Sequence, residues 1–176
     1  APAYCAVSAK PAPTAVNVDA GTLHYGAAIH TAWRSGLPVL ITAGAPPVGY
    51  PGSMRGARDV GGHIWLQQTF DQNGIVRQYT KADHRLAPTA THSMLVRRLL
   101  QIAMSEPKGP VFMAMPREAA MLKLPGTVRF PTVDQLGLAR PVWPDPDDAR
   151  KIAQWLVKAD NPVILADRAG HEPGAV

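Results

Sequence analysis

The alternation of short apolar runs with one helical stretch between Thr14 and Ala43 constrains this chain more than any other feature. Residues 14–19 (TAVNVD) are valine-rich and followed by a turn signal at Ala20-Gly21-Thr22, which predicts a buried strand. Residues 23–35 predict a helix, and Gly36 stands where a helix C-terminus takes a left-handed residue. Residues 38–43 (PVLITA) are almost wholly apolar and predict the next strand. Strand, helix and strand in so short a span make a βαβ unit, which requires a parallel sheet covered by helices. The expected fold class is α/β.

Further along, residues 44–62 hold Gly44, Gly49, Gly52, Gly56, Gly61 and Gly62 with Pro46, Pro47 and Pro51, a long loop of the functional or mobile kind. Residues 75–81 predict a third strand. Residues 92–105 predict a helix with Leu95, Leu99 and Ile102 on one face and Arg98, Gln101 and Ser105 on another. Pro107, Gly109 and Pro110 end it and launch a strand over residues 111–115. Residues 126–144 read as a connector. Asp145 then caps a helix with Pro146 at its first position, Ala149, Ile152, Ala153 and Leu156 form its buried face, and Asn161-Pro162 stops it. Residues 163–166 predict one more strand. One helix and one strand cannot bury their own apolar faces. The expected division is therefore a first domain over 1–130, a linker over 131–144, and the beginning of a second α/β domain over 145–176.

Charge and motif content remove several function classes. Hydrophobic residues are 46% and charged residues 18%, a globular composition. The net charge of +5 is dispersed, with basic pairs such as Arg97-Arg98 but no longer run and no aromatic platform, so a nucleic-acid surface is not expected. Cys5 stands alone, which excludes an internal disulfide and a cysteine metal site, and it reads as a small packing residue. No stretch is long and apolar enough to cross a membrane and no signal peptide is visible, so a cytoplasmic location is expected. The six histidines are scattered and share no metal-ligand spacing. There is no phosphate-binding GxxxxGK[ST] and no GxGxxG. Gly21-Thr22, opening a helix after a strand, is a candidate anion site that turn geometry explains equally well. Ser53 lies between Gly52 and Gly56 without the strand-turn-helix setting of a nucleophile elbow, so a hydrolase is a lesser alternative. A stand-alone α/β binding or assembly module is another.

Taken in order, several segments resemble the N-terminal pyrimidine-binding domain of thiamine-diphosphate-dependent enzymes, closest to the acetolactate-synthase-like group. These are residues 17–22 (NVDAGT) before a small-residue helix, 37–46 (LPVLITAGAP), 70–77 (FDQNGIVR) with Tyr79-Thr-Lys81, 107–116 (PKGPVFMAMP) and 161–166 (NPVILA). Each is moderately specific, and their order and spacing carry the resemblance across nearly the whole chain. Ala3 and Ala9 depart from it where the family usually has glycine.

The resemblance implies a fragment of a 2-oxo acid decarboxylase or carboligase whose cofactor is thiamine diphosphate with Mg²⁺, and it leaves the presence of FAD in the parent open. It implies a 2-oxo acid substrate and a homodimeric or homotetrameric parent with the cofactor in the subunit seam. It places the family's catalytic glutamate ahead of Ala1, and the GDG…N motif that holds magnesium and diphosphate does not occur here, so the fragment alone is expected to be inactive. Gly21 and Thr22 become candidate cofactor contacts at the carboxyl end of a strand. Gln67 and Gln68 become candidate catalytic amides, with alignment to Lys81 favouring Gln68 and alignment to Phe70-Asp-Gln72 favouring Gln67. A neutral amide can donate to a developing oxyanion. Asp71 and Arg77 are expected in structural hydrogen bonds or ion pairs. No metal ligand is expected in this chain. The surface toward the partner is expected around the turn after Asp19, the following helix and the 44–62 loop, with Met54, Trp65 and Leu66 poorly covered and self-association as the consequence.

Overall fold

In the computed structural model, residues 1–58, 66–89, 92–124, 126–171 and 174 are described. They form two units, Ala1–Ala139 and Arg140–Val176.

The first unit is built on four parallel strands, β1 (Ala12–Val16), β2 (Val39–Ala45), β3 (Asp83–Arg85) and β4 (Val111–Pro116), in the order β1-β2-β4-β3. The chain steps from β1 to its neighbour β2, crosses to the far edge for β3, and returns to place β4 beside β2. Period-two alternation sorts the side chains onto two faces. Val39, Ile41, Ala43 and Ala45 join Phe112 and Ala114 in one buried cluster with Cys5 of α1 (Pro2–Ser8), Ile29 and Ala32 of α3 (Gly26–Arg34), and Val76. Leu40, Val111 and Met113 face the other way, against Leu99 and Ala103 of α4 (His92–Met104). Helices on both faces are what a parallel sheet needs, and the expected α/β class is what the chain adopts. Cys5 is a buried packing residue whose thiol burial pushes up in pKa.

Three local expectations hold. The second and fourth strands lie where predicted, Gly36 has φ of 62° after α3, and Leu95, Leu99 and Ile102 of α4 all pack in one cluster. Two do not. The first strand stops at Val16, and a six-residue helix α2 (Val18–Leu23) begins where strand and turn were expected. Residues 75–81 form no strand: two 3-10 turns, Asn73–Ile75 and Arg77–Tyr79, precede the short β3. The reason is an ionic knot. Arg77 lies between two carboxylates, donating through Nη1 to Asp71 at 2.7 Å and through Nε to Asp83 at 3.0 Å, while Asn73 Nδ2 reaches Asp83 at 2.7 Å. Closing bonds across six residues folds the segment into turns and leaves only Asp83–Arg85 to pair with β4.

Beyond β4, the chain makes a short helix α5 (Arg117–Ala120) and then runs beside α4 without regular structure. Ser93 Oγ donates to the Arg129 carbonyl at 2.6 Å, Gln101 Nε2 donates to the Gly137 carbonyl, and Ser105 Oγ accepts from the Ala139 amide at 3.1 Å. These bonds tie much of the stretch read as linker to the first unit, which runs to Ala139. Lys81 closes the same region by donating to the Ile102 and Ser105 carbonyls at the end of α4, and desolvation lowers its pKa.

The second unit carries α6 (Pro146–Lys158). Asp145 caps it as expected, Oδ1 accepting from the Asp147 amide at 2.8 Å, with Pro146 at the first position. The expected burial of its apolar face is not found: Ile152 is 53% exposed and no residue of the helix is buried. Nor do residues 163–166 form a strand: the described residues of this unit contain no strand to pair with, and Leu165 is 95% exposed.

Two measurements follow. In hydrogen exchange, the β2 amides should show protection near that of global unfolding, whereas the α6 amides should exchange far earlier. Asp83 is held below the usual carboxylate pKa mainly by the Arg77 hydrogen bond, so its ionised form is favoured by folding. That stability is fully present above the unfolded value of about 4 and is lost as pH falls through the lower folded value. Urea titrations of Asp83→Asn should therefore differ from wild type at pH 6 and converge with it in strong acid.

Candidate functional site

Open parallel sheets present ligands at the carboxyl ends of their strands. At that edge, polar side chains of this chain converge on the backbone of two segments: the turn that leaves β1 and the loop that leaves β2.

The turn leaving β1 is Asn17–Val18. Val18 has φ of 24°, a region that a β-branched residue rarely enters, at a cost of about 1–3 kcal/mol. Gly21 sits one turn into α2, its amide donating to the Asn17 carbonyl at 3.0 Å, and a Cβ there would lie 2.9 Å from the Val16 Cβ. Glycine is what lets α2 fold back onto the end of β1. Thr22 is 0% exposed, and its hydroxyl donates to the Val18 carbonyl at 2.7 Å. Gly21 and Thr22 thus lie within α2 rather than opening a helix as expected. Both residues shape the turn from beneath.

Gln72 is the residue that sequence reasoning missed. It is 4% exposed, and its Nε2 donates to the Gly44 carbonyl at 2.8 Å and to Thr22 Oγ1 at 3.2 Å. A carbonyl only accepts, so the amide nitrogen must face Gly44. Oε1 is then left buried without a partner among the described residues. The only hint in the sequence is its place inside the FDQNG stretch, which alignment used as a landmark and not as a site.

The loop leaving β2 is docked, not free. Arg85 Nη2 donates to the Pro46 carbonyl at 3.1 Å. Glu118, 1% exposed at the start of α5, accepts from the amides of Val48 and Gly49, both at 2.7 Å on Oε1. Arg117 donates to the carbonyls of Gly56 and Ala57 at 2.8 and 2.5 Å. Gly56 has φ of 86°, and a Cβ there would lie 2.9 Å from the Glu118 Cα, so the loop backbone is pressed against α5. Tyr50 and Met54 stay exposed on the loop.

Gln67 and Gln68 follow this loop. Both are exposed, and Gln68 Oε1 accepts from Arg58 Nη2, whereas Gln67 has no such anchor. Met54 and Leu66 are exposed as anticipated, and Trp65 lies outside the described residues. Asp71 and Arg77 form the expected ion pair. Among the described residues no three His, Cys, Asp or Glu side chains gather to hold a metal, and no helix is long and apolar enough to cross a membrane. An apolar pocket of about 250 Å³, lined by Tyr25, Ile29, Val39 and Ile41 among others, lies on a face of the sheet. Its one polar pair, Thr14 with Tyr25 at 2.6 Å, is already mutually satisfied, so the chemistry points to the edge instead.

No protein-family model matches the chain. Solved structures do. A thiamine-diphosphate-dependent 4-hydroxybenzoylformate decarboxylase from Rhodococcus jostii RHA1 superposes with a TM-score of 0.67 at 18% identity, covering 93% of this chain and 29% of that one. An enzyme from Mycobacterium smegmatis assigned to the thiamin-diphosphate-dependent class gives 0.65 at 21%, covering 88% and 26%. Benzoylformate decarboxylase from Polynucleobacter necessarius gives 0.61 at 24%, covering 89% and 27%. The fold is that of a domain of such enzymes, and the chain spans 26–29% of the length of these three structures.

Removing the Glu118 carboxylate should strand two amides. Glu118→Ala is expected to cost about 2–4 kcal/mol, given about 1.5–3 for a hydrogen bond to a charged group. Gly56→Ala should also destabilise, by more than about 1 kcal/mol, because the left-handed backbone and the close approach to Glu118 both oppose a side chain. Chemical denaturation of both variants, with exchange at Val48 and Gly49, measures these effects.

Proposed function

We propose that this chain is part of a thiamine-diphosphate-dependent enzyme acting on a 2-oxo acid, contributing the pyrimidine-side wall of the cofactor site. The observation that supports this reading is the superposition of 88–93% of the chain on three structures of that class. Two of the three are decarboxylases by name, which favours carbon–carbon cleavage, a lyase, over the carboligase chemistry of acetolactate synthase.

The residues present fit one end of the cofactor. A Cβ at Gly44 would meet Asn17 Oδ1 at 3.4 Å and the Val18 nitrogen at 3.6 Å, so the strained turn and the end of β2 lie side by side and would together form the wall a ring rests on. They do not fit the other end: among the described residues no three His, Cys, Asp or Glu side chains gather to hold Mg²⁺, and the sequence has no GDG motif. Bound thiamine diphosphate supplies the carbon nucleophile and electron sink that release of carbon dioxide from a 2-oxo acid requires. This chain supplies shape and polarity. Gly21 and Thr22 hold the turn beside the ring. Gln68 is better placed than Gln67 as the catalytic amide, because Arg58 fixes its carbonyl oxygen and leaves its N–H to donate to a developing oxyanion.

The test uses the 176-residue chain and the complete protein that contains it, each with thiamine diphosphate and Mg²⁺. The complete protein should release carbon dioxide from a 2-oxo acid such as pyruvate or benzoylformate, and the chain alone should not. Gln68→Ala in the complete protein should lower kcat by on the order of 100-fold, the loss typical of one oxyanion donor. Gln67→Ala should change it only slightly. Absence of cofactor binding by the complete protein would overturn the reading, and turnover by the chain alone would overturn the division of labour.

A further inference from the structure

Three groups at the carboxyl edge are joined by one directed line of hydrogen bonds. Gln72 Nε2 donates to Thr22 Oγ1 at 3.2 Å, and Thr22 Oγ1 donates its single proton to the Val18 carbonyl at 2.7 Å. The same Nε2 donates to the Gly44 carbonyl at 2.8 Å. The line begins on a segment rich in 3-10 turns, crosses α2, and ends on Val18, a non-glycine residue with left-handed backbone. Thr22 and Gln72 are both buried, so neither touches a ligand directly. Yet what they hold is exposed: Asn17 lies at the surface and Asp19 is half-buried, on either side of Val18.

We propose that Gln72 is a positioning residue. Through Thr22 it holds the Asn17–Val18–Asp19 turn in its strained form, and through Gly44 it locks that turn to the end of β2. Donor capacity, not volume, is the property that matters. Gln72 needs both of its N–H groups, one for Gly44 and one for Thr22, and the arrangement leaves Oε1 without a partner among the described residues. A side chain selected only to fill space there would avoid that orphan at no loss, since an apolar residue of the same length carries no unsatisfied oxygen. The unpaired oxygen is tolerated because the two donors are required.

The segment that carries Gln72 is itself made rigid. Asp71 and Asp83 grip Arg77, and the pKa values of both carboxyls are lowered by that grip. Gln72 lies beside the first of these residues in sequence. The amide is thus presented from a fixed base, as a positioning group has to be.

The structural part of this proposal stands without any cofactor; only its functional consequence rests on the reading given under Proposed function. The experiment compares Gln72→Met, Gln72→Glu, Thr22→Val and Thr22→Ser in the complete protein. Gln72→Met and Gln72→Glu keep the volume and lose the donors. Thr22→Val keeps the shape and loses the hydroxyl, and Thr22→Ser restores it. Hydrogen exchange of residues 18–23 should speed up by about ten-fold or more in the first three variants, while the amides of Ile41 and Phe112 keep their protection. Thr22→Ser should exchange like wild type. Thiamine diphosphate affinity should fall in the same three variants and recover in Thr22→Ser. The effects of Gln72→Met and Thr22→Val should be non-additive, because they break one line. A uniform rise in exchange across the sheet would reduce Gln72 to a core residue and overturn the proposal, as would unchanged exchange at residues 18–23 or a Thr22→Ser variant that behaves like Thr22→Val. If exchange changes as expected but the wild-type protein binds no thiamine diphosphate, the positioning role stands and the cofactor reading fails.

Discussion

The carbonyl of Gly44 sets the terms for the functional edge. On one side β1 has already left the ladder, its last pair being Val16 with Ala43. On the β4 side Gly44 is in register with Met115, and by the alternation of a parallel ladder its carbonyl points the other way, toward the vacated β1 side. Gly44 is half-buried, and a carbonyl there gains from a protein donor, since leaving a buried one bare costs about 1–3 kcal/mol. The side chain of Gln72 provides it, at 2.8 Å. Because the second N–H of the same amide reaches Thr22, satisfying Gly44 also fixes α2, and fixing α2 also fixes the turn at Val18.

Magnitudes explain why this turn can persist. A φ of 24° at valine costs about 1–3 kcal/mol, comparable with one or two buried hydrogen bonds. The turn has the Thr22 hydroxyl on the Val18 carbonyl and the Gly21 amide on the Asn17 carbonyl, with the close α2–β1 contact that Gly21 permits. None alone would outweigh the strain with margin; together they do. The loop after β2 solves a different problem in the same way. Beyond the end of β2 its described part makes no ladder, and the backbone groups of Val48, Gly49, Gly56 and Ala57 are taken up by Glu118 and Arg117, side chains that follow directly on β4. Both segments at the edge are therefore held by side chains from elsewhere in the sequence, which suits a surface that must keep its shape against a ligand.

That origin also explains what the sequence disclosed and what it hid. Elements specified by their own residues were legible: the apolar runs of β2 and β4, the periodic face of α4, Gly36 after α3, and Asp145-Pro146 at the start of α6. Elements specified at a distance were not. The valines of residues 14–19 favour a strand, yet the chain turns at Asn17 because Gly21 and Thr22 allow α2 to fold back. Residues 75–81 look like a strand until Arg77 is seen gripped by Asp71 and Asp83. The site was hidden for the same reason. Gly21 and Thr22 were recognisable as belonging to the edge, but their role depends on Gln72, fifty residues away. Nothing in the local pattern separates Gln72 from the exposed Gln67 and Gln68.

The second unit shows the limit of local specification from the opposite direction. Its helix has what a sequence can provide by itself: a capping aspartate, proline at the first position, acids in the first turn and a lysine in the last. Arg150 pairs with Asp147 at 2.6 Å, and Lys151 lies over the Trp155 ring at 5.7 Å. Such terms contribute a few tenths of a kcal/mol to about 1 kcal/mol each, while an isolated helix of about 13 residues is marginal in water. In the first unit the sheet makes up the difference, because α4 buries Leu99 and Ala103 against β2 and β4. In the second unit Ile152 and Trp155 remain uncovered. Helix α6 is thus correctly begun and correctly ended, yet it lacks the buried face that makes α4 stable.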